Sequence, residues 1–144
     1  MQPIHILLVE DNEGDILLTK EALENAKIHT RLSVVKDGKL ATDFLTKKLV
    51  YTNVETPDLI LLDVNLPKMN GHEVLHFVKT NDMLKHIPVI MLTTSSSHKD
   101  INLSYNNYAN CYITKPVDVN DFLKVVATIE NFWISIVKLP TKTV

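Results

Sequence analysis

Short apolar runs alternate along this chain with longer stretches of helical period, and that alternation restricts it to a parallel sheet covered by helices on both faces. Five strand-and-helix pairs can be read. Ile4–Val9 suits a strand buried on both faces, and Asn12 stands where it can cap a helix over about Glu13–Ala26 with Ile16, Leu18, Ala22, Leu23 and Ala26 as its apolar face. Leu32–Val35 is a short second strand, Asp37-Gly38 a turn, and Leu40, Ala41, Phe44 and Leu45 mark a second helix. The polar connection Lys47–Pro57 exceeds the usual loop median of about 4–6 residues and reads as a tolerated insertion. Leu59–Leu62, the most uniformly apolar run, is the expected central strand. Pro67 and Gly71 punctuate the loop before a short helix at His72–Thr80. Val89–Leu92 is a fourth strand, leading through Thr93–Ser97 to a helix over Lys99–Tyr108 that three Asn residues should leave marginal. Cys111–Thr114 is the fifth strand, and a last helix is expected over about Val119–Val137.

A chain of 144 residues, 45% hydrophobic and 22% charged, suits one domain with a full core. Its net charge is −2 and its 15 Lys and Arg are dispersed, so neither nucleic acid nor a membrane surface is expected as partner. Cys111 is the single cysteine and cannot form an internal disulfide. The first apolar run is too short for a secretion signal, no run approaches the roughly 20 residues that span a bilayer, and a cytoplasmic home is expected. No internal repeat or low-complexity tract is visible.

In open parallel sheets the ligand site lies at the carboxyl ends of the strands. The residues just past each apolar run are Glu10 and Asp11, Asp63, Thr93 and Lys115. Three acids, a hydroxyl and an ammonium thus converge. Clustered carboxylates raise one another's pKa unless a cation neutralises them, and a hard divalent ion such as Mg²⁺ takes oxygen ligands while keeping several waters. Asp11, Asp63, the backbone carbonyl of Asn65 and, through water, Glu10 make a plausible set. With one Asp63 oxygen on the ion, the other is free to attack phosphorus in line, with Lys115 and Thr93 taking up charge on the phosphoryl oxygens.

The motifs Leu7-Leu8-Val9-Glu10-Asp11-Asn12, Leu61-Leu62-Asp63-Val64-Asn65-Leu66-Pro67, Met69-Asn70-Gly71, Ile90-Met91-Leu92-Thr93 and Tyr112-Ile113-Thr114-Lys115-Pro116 fall in register with a known pattern. The chain resembles the receiver domain of response regulators over nearly its full length. That resemblance implies an α/β, doubly wound, CheY-like fold: a five-stranded parallel sheet in the order 2-1-3-4-5 with five helices, as one domain over 1–144 with a core of about 3–137. It implies a two-component signalling protein rather than a metabolic enzyme, with Asp63 as phosphoacceptor, Glu10 and Asp11 as the acid pair, Lys115 facing the phosphate, Mg²⁺ as cofactor and a cis bond before Pro116. A sensor histidine kinase is the implied phosphodonor. Thr93 and Tyr112 are implied as the switch pair. Cys111 and Thr94 depart from the Gly and Ala common at those places, and Cys111 reads as a small buried residue.

Only Lys138–Val144 follows the expected last helix, so output is expected through binding. Apolar positions from Phe132, Val125 and Ile136 round to Ala127 cover well over half of that helix, more than one buried stripe requires. Adjacent Phe132 and Trp133 point in different directions. This ending, with the longer loop before the third strand, is similar to single-domain regulators that pair with cyanobacterial phytochrome kinases. It implies a homodimer through the face formed by helix 4, strand 5 and helix 5, with a phytochrome-type kinase as donor.

Three other chemistries compete for the same residues. His72-Glu73-Val74-Leu75-His76 matches the zinc-protease pattern H-E-x-x-H, but Lys79 and Asp82 stand where an extended zinc motif needs Gly and His, so the histidines are expected simply to face solvent. A phosphatase of the haloacid-dehalogenase type would need a second Asp at Asn65. A flavodoxin-like carrier would need its Thr/Ser loop after the first strand, whereas Thr93–Ser97 follows the fourth.

Overall fold

A computed structural model describes residues 3–24, 29–93 and 98–115 and, in the last helix, residues 120, 121, 124, 127 and 128. The elements follow one another as β1 (Ile4–Val9), α1 (Glu13–Glu24), β2 (Thr30–Val35), α2 (Gly38–Leu45), β3 (Leu59–Asp63), α3 (Gly71–Lys79), β4 (Val89–Thr93), α4 (His98–Asn106) and β5 (Cys111–Thr114). All strand pairs are parallel and the order is β2-β1-β3-β4-β5, with β3 central as its apolar run requires.

The uniform apolarity of the strands has a direct cause, because successive side chains feed opposite layers. Leu7 and Val9 of β1, Ile60 and Leu62 of β3, and Val89 and Met91 of β4 join Phe44 of α2 and Val74 and Val78 of α3 in one core. Their neighbours Ile6, Leu8, Leu59, Leu61 and Ile90 join Ile16 and Leu23 of α1 in the other. Helices therefore cover both faces, α2 and α3 on one side and α1 on the other.

The helix starts follow local capping chemistry. Asn12 Oδ1 accepts the Asp15 N–H at 2.9 Å, as expected of the α1 cap. Asp37 caps α2 by accepting from Leu40 N–H, and Asn70 and Glu73 form a reciprocal capping box on α3. Leu18 and Ala22 pack partly buried against this α1-side core, as their place on the apolar face requires, and Thr19 joins Ile16 and Leu23 as buried, its hydroxyl donating to the Asp15 carbonyl.

The 47–57 connection holds a 3₁₀ turn at Leu49–Tyr51, entered through positive φ at Lys47 and Leu49. Tyr51 packs its ring 5.2 Å from Phe44, and Val54 also lies against the core, so the insertion is fastened to the domain. Cys111 is half-buried against the α1-side core rather than fully buried, and burial pushes its thiol pKa up. Among the described residues, no helix is long and apolar enough to cross a membrane. The Lys115–Pro116 bond, Thr94, Ser95, Phe132 and Trp133 lie outside the described residues, as does most of the expected last helix.

Candidate functional site: an acidic cluster closed by a lysine

Strand register brings the site together. Val9 pairs with Leu62, so Glu10 and Asp63 leave the sheet side by side from adjacent strands. Asp63 pairs with Leu92, and Thr93 with Thr114, which places Thr93 and Lys115 progressively beyond that level. All five strand-end positions named from sequence therefore lie at one end of the sheet.

Glu10, Asp11 and Asp63 each offer a carboxylate oxygen, and the three oxygens lie within 4.8 Å of one another. Glu10 and Asp63 are buried, while Asp11 is exposed and opens the group to solvent. The Glu10 carboxylate also accepts the backbone N–H groups of Asp11 at 3.1 Å and Asn12 at 3.3 Å. Asp63 accepts the Asn65 N–H at 3.3 Å, folding the loop back over it.

Lys115 closes the cluster from the β5 side. Its buried ammonium donates to Glu10, to Asp15 Oδ2 at 2.9 Å and to Asp63 Oδ2 at 3.4 Å. Burial by itself would lower the lysine pKa, but hydrogen bonds to Glu10 and Asp15 and the charges of Asp63 and Glu10 outweigh it and raise the value. Glu10 moves in the opposite sense to a paired acid: burial first, then the neighbouring Asp63 carboxyl, push it up to about 7 against the pull of Lys115. One cation does not neutralise this set of acids. An all-oxygen trio that retains excess negative charge and opens to water at Asp11 fits a hard divalent cation.

Two glycines let the surrounding loops approach this closely. A Cβ on Gly71 would lie 2.1 Å from the Asp63 carbonyl oxygen and 2.7 Å from Val64 Cα, so α3 can start directly behind Asp63 only without a side chain there. A Cβ on Gly38 would lie 1.8 Å from the Met69 carbonyl oxygen, which sets α2 tightly against the loop after β3. Lys68 at the tip of that loop adopts φ 66° and reaches Asp37 at 3.8 Å.

Asp15 is the contributor that the sequence reading missed. As a first-turn acid it looks like a helix-dipole partner, and its contact with Lys115 spans 100 positions of sequence. Its usable signal is proximity to the end of β1, since the first turn of α1 faces the same end of the sheet. Tyr112 is half-buried and packs against the α2–α3 core. His72 and His76 are not both solvent-facing: His72 is partly buried with Nδ1 3.5 Å from Ser104 Oγ, and His76 Nδ1 lies 3.2 Å from Asn107 Oδ1, so both address α4. Among the described residues, they join no cluster of three metal-capable groups.

A doubly wound sheet in this order, with acids and a lysine gathered at its carboxyl end, has the architecture of a CheY-like receiver domain. The profile of the response regulator receiver domain matches residues 6–127, and the chain belongs to that family. It is 46% identical to the response regulator Rcp1 of Synechocystis over 96% of this chain and 94% of that protein. Its fold superposes on the phosphorylated cyanobacterial phytochrome response regulator RcpA with a TM-score of 0.95 at 44% identity, covering 97% of this chain and all of the other. The Mn²⁺-bound form of Rcp1 superposes with a TM-score of 0.94 at 45% identity, covering 96% of this chain and all of that one.

Proposed function

We propose that Asp63 is the phosphoacceptor of a two-component pathway and that a sensor histidine kinase, of phytochrome type, is the donor. The observation carrying this reading is the meeting of Glu10, Asp11 and Asp63 oxygens within 4.8 Å, closed by the Lys115 ammonium. An Asp63 carboxylate oxygen forms the new O–P bond as the N–P bond of the donor phosphohistidine breaks, and the departing imidazole nitrogen takes a proton from solvent. Lys115 then faces the phosphoryl oxygens, and Thr93, ending β4 just beyond the level of Asp63, is assigned a hydrogen bond to them.

Asp11, Asp63 and the Asn65 backbone carbonyl, with Glu10 beside them, would hold Mg²⁺ at the acidic trio. Bound there, a divalent cation offsets carboxylate charge and polarises the phosphoryl oxygens. Every other contribution comes from the chain: Asp63 supplies the nucleophile, Lys115 the fixed positive charge, and Gly71 the room behind Asp63.

The protein acts by binding rather than by turning over a metabolite, and its phosphorylation and hydrolysis are self-catalysed. Thr93 and Tyr112 serve as the switch pair, with a cis bond before Pro116 aligning Lys115. The output face is that of α4, β5 and the last helix, through which the protein forms a homodimer, and Tyr105 of α4 is exposed. Support for a phytochrome-type donor is the similarity to the phytochrome response regulator RcpA, and a cytoplasmic setting is part of the same proposal. Acetyl phosphate with Mg²⁺ labels the wild type and leaves Asp63→Asn unlabelled; equal labelling of both sinks the assignment.

A further inference from the structure

The Lys115 ammonium has three protons to give, and three carboxylates already take them: Glu10, Asp15 at 2.9 Å and Asp63 at 3.4 Å. Asp15 differs from the other two. It stands outside the trio of oxygens that fits a cation, and its side chain is 27% exposed where those of Glu10 and Asp63 are 3% and 10%. Its orientation is fixed from behind, because its N–H is held by Asn12 Oδ1 at 2.9 Å and its carbonyl by the Thr19 hydroxyl at 2.7 Å.

We propose that Asp15 is a positioning residue that holds the Lys115 ammonium in the unphosphorylated protein and yields it to the phosphoryl group, so that Asp15 biases the domain toward its resting state. The inference rests on Asp63 being the phosphoacceptor. A phosphoryl group on Asp63 needs a closer donor than the 3.4 Å contact that Lys115 makes to that carboxylate, so the ammonium has to move towards it and one of its two other bonds has to open. Glu10 is enclosed, so stripping it of its cation leaves a buried charge uncompensated. Asp15 is partly in water and rehydrates at little cost, which makes its bond the one to exchange. Its charge also stands beside the incoming anion and opposes it. Removing that charge acts in one direction on both counts: it frees the lysine and it lessens repulsion.

The test compares full-length wild type, Asp15→Asn and Asp15→Glu by calorimetric titration, first with Mg²⁺ alone and then with beryllofluoride in saturating Mg²⁺. Asp15→Asn is expected to bind beryllofluoride about fivefold more tightly than wild type, the scale of one partly exposed ion pair. Asp15→Glu, which restores the charge, returns toward wild type. Mg²⁺ alone binds Asp15→Asn no more tightly than wild type, since the trio is intact. A merely structural role in α1 weakens both ligands together, and equal or weaker beryllofluoride binding by Asp15→Asn overturns the proposal. If wild type itself fails to bind beryllofluoride, the Asp63 assignment falls and this inference falls with it.

Discussion

Lys115 reaches Asp63 at 3.4 Å across 52 positions of sequence, and the contact exists because β3 and β5 flank β4 in one parallel register. Among the described residues, Lys115 is the only positive charge that touches that acidic cluster. Replacing it with methionine leaves buried Glu10 and Asp63 facing each other without a counter-charge. Lys115→Met is expected to cost about 3 kcal/mol of stability in metal-free protein near neutral pH. Urea denaturation with and without Mg²⁺ checks this, because added cation should restore part of the loss.

The raised Glu10 pKa gives a pH dependence of definite sign. Its ordinary value is 4.5 and its folded value about 7, so between those limits the folded state holds a proton that the unfolded state releases. This contribution to metal-free stability is full below 4.5 and is lost as pH rises towards 7. Lys115, raised above 10.5, contributes stability that lasts until pH climbs through its folded value. Mg²⁺ competes with the Glu10 proton, so its affinity should fall by up to about tenfold per unit as pH drops below 7. Titrations of wild type and Glu10→Gln across pH 5.5–8.5 should show a slope in the first and a much flatter line in the second.

Gly71 and Gly38 carry the tightest approaches around the site. An added methyl meets backbone oxygens at 2.1 Å and 1.8 Å respectively, atoms that cannot rotate away. Gly71→Ala and Gly38→Ala should each lower stability by about 2–3 kcal/mol. Gly71→Ala, which pushes on Asp63 itself, should also weaken Mg²⁺ binding, whereas Gly38→Ala acts one loop away and should affect it less. Thermal unfolding and metal titration of the two proteins separate these effects.

Much of this arrangement was legible in the chain. Both ends of β1 and of β5 follow from where the apolar runs stop, and the strand ends named Glu10, Asp11, Asp63, Thr93 and Lys115 because a parallel sheet has one functional edge. Less legible were features decided by contacts distant in sequence. Asp15 carries no local mark of its bond to Lys115, and Thr19 is polar yet buried because its hydroxyl bonds back to the helix. The 47–57 segment reads as a bare insertion, since a single Tyr51 ring packed at a tilt against Phe44 leaves no periodic pattern.

The histidine pair on α3 offers a control. His72 and His76 are engaged with Ser104 and Asn107 of the α4 segment, and among the described residues the acidic cluster is made by Glu10, Asp11 and Asp63 instead. The double substitution His72→Gln with His76→Gln should leave Mg²⁺ affinity within about twofold of wild type, as expected for sites that share no partners. A large loss of Mg²⁺ affinity, or stoichiometric zinc in purified wild type, would restore the zinc reading.

The central claim is that the phosphoryl group resides on the carboxylate of Asp63. An acyl phosphate is reduced by borohydride to an alcohol, which converts a phosphorylated aspartate to homoserine and leaves free aspartates unchanged. After treatment with acetyl phosphate and Mg²⁺, borohydride reduction and peptide mass mapping should find homoserine at position 63, in the peptide that carries Asn65 and Pro67. Homoserine at Asp11 or Asp15 instead, or phosphate that survives reduction on a histidine or hydroxyl side chain, would contradict it.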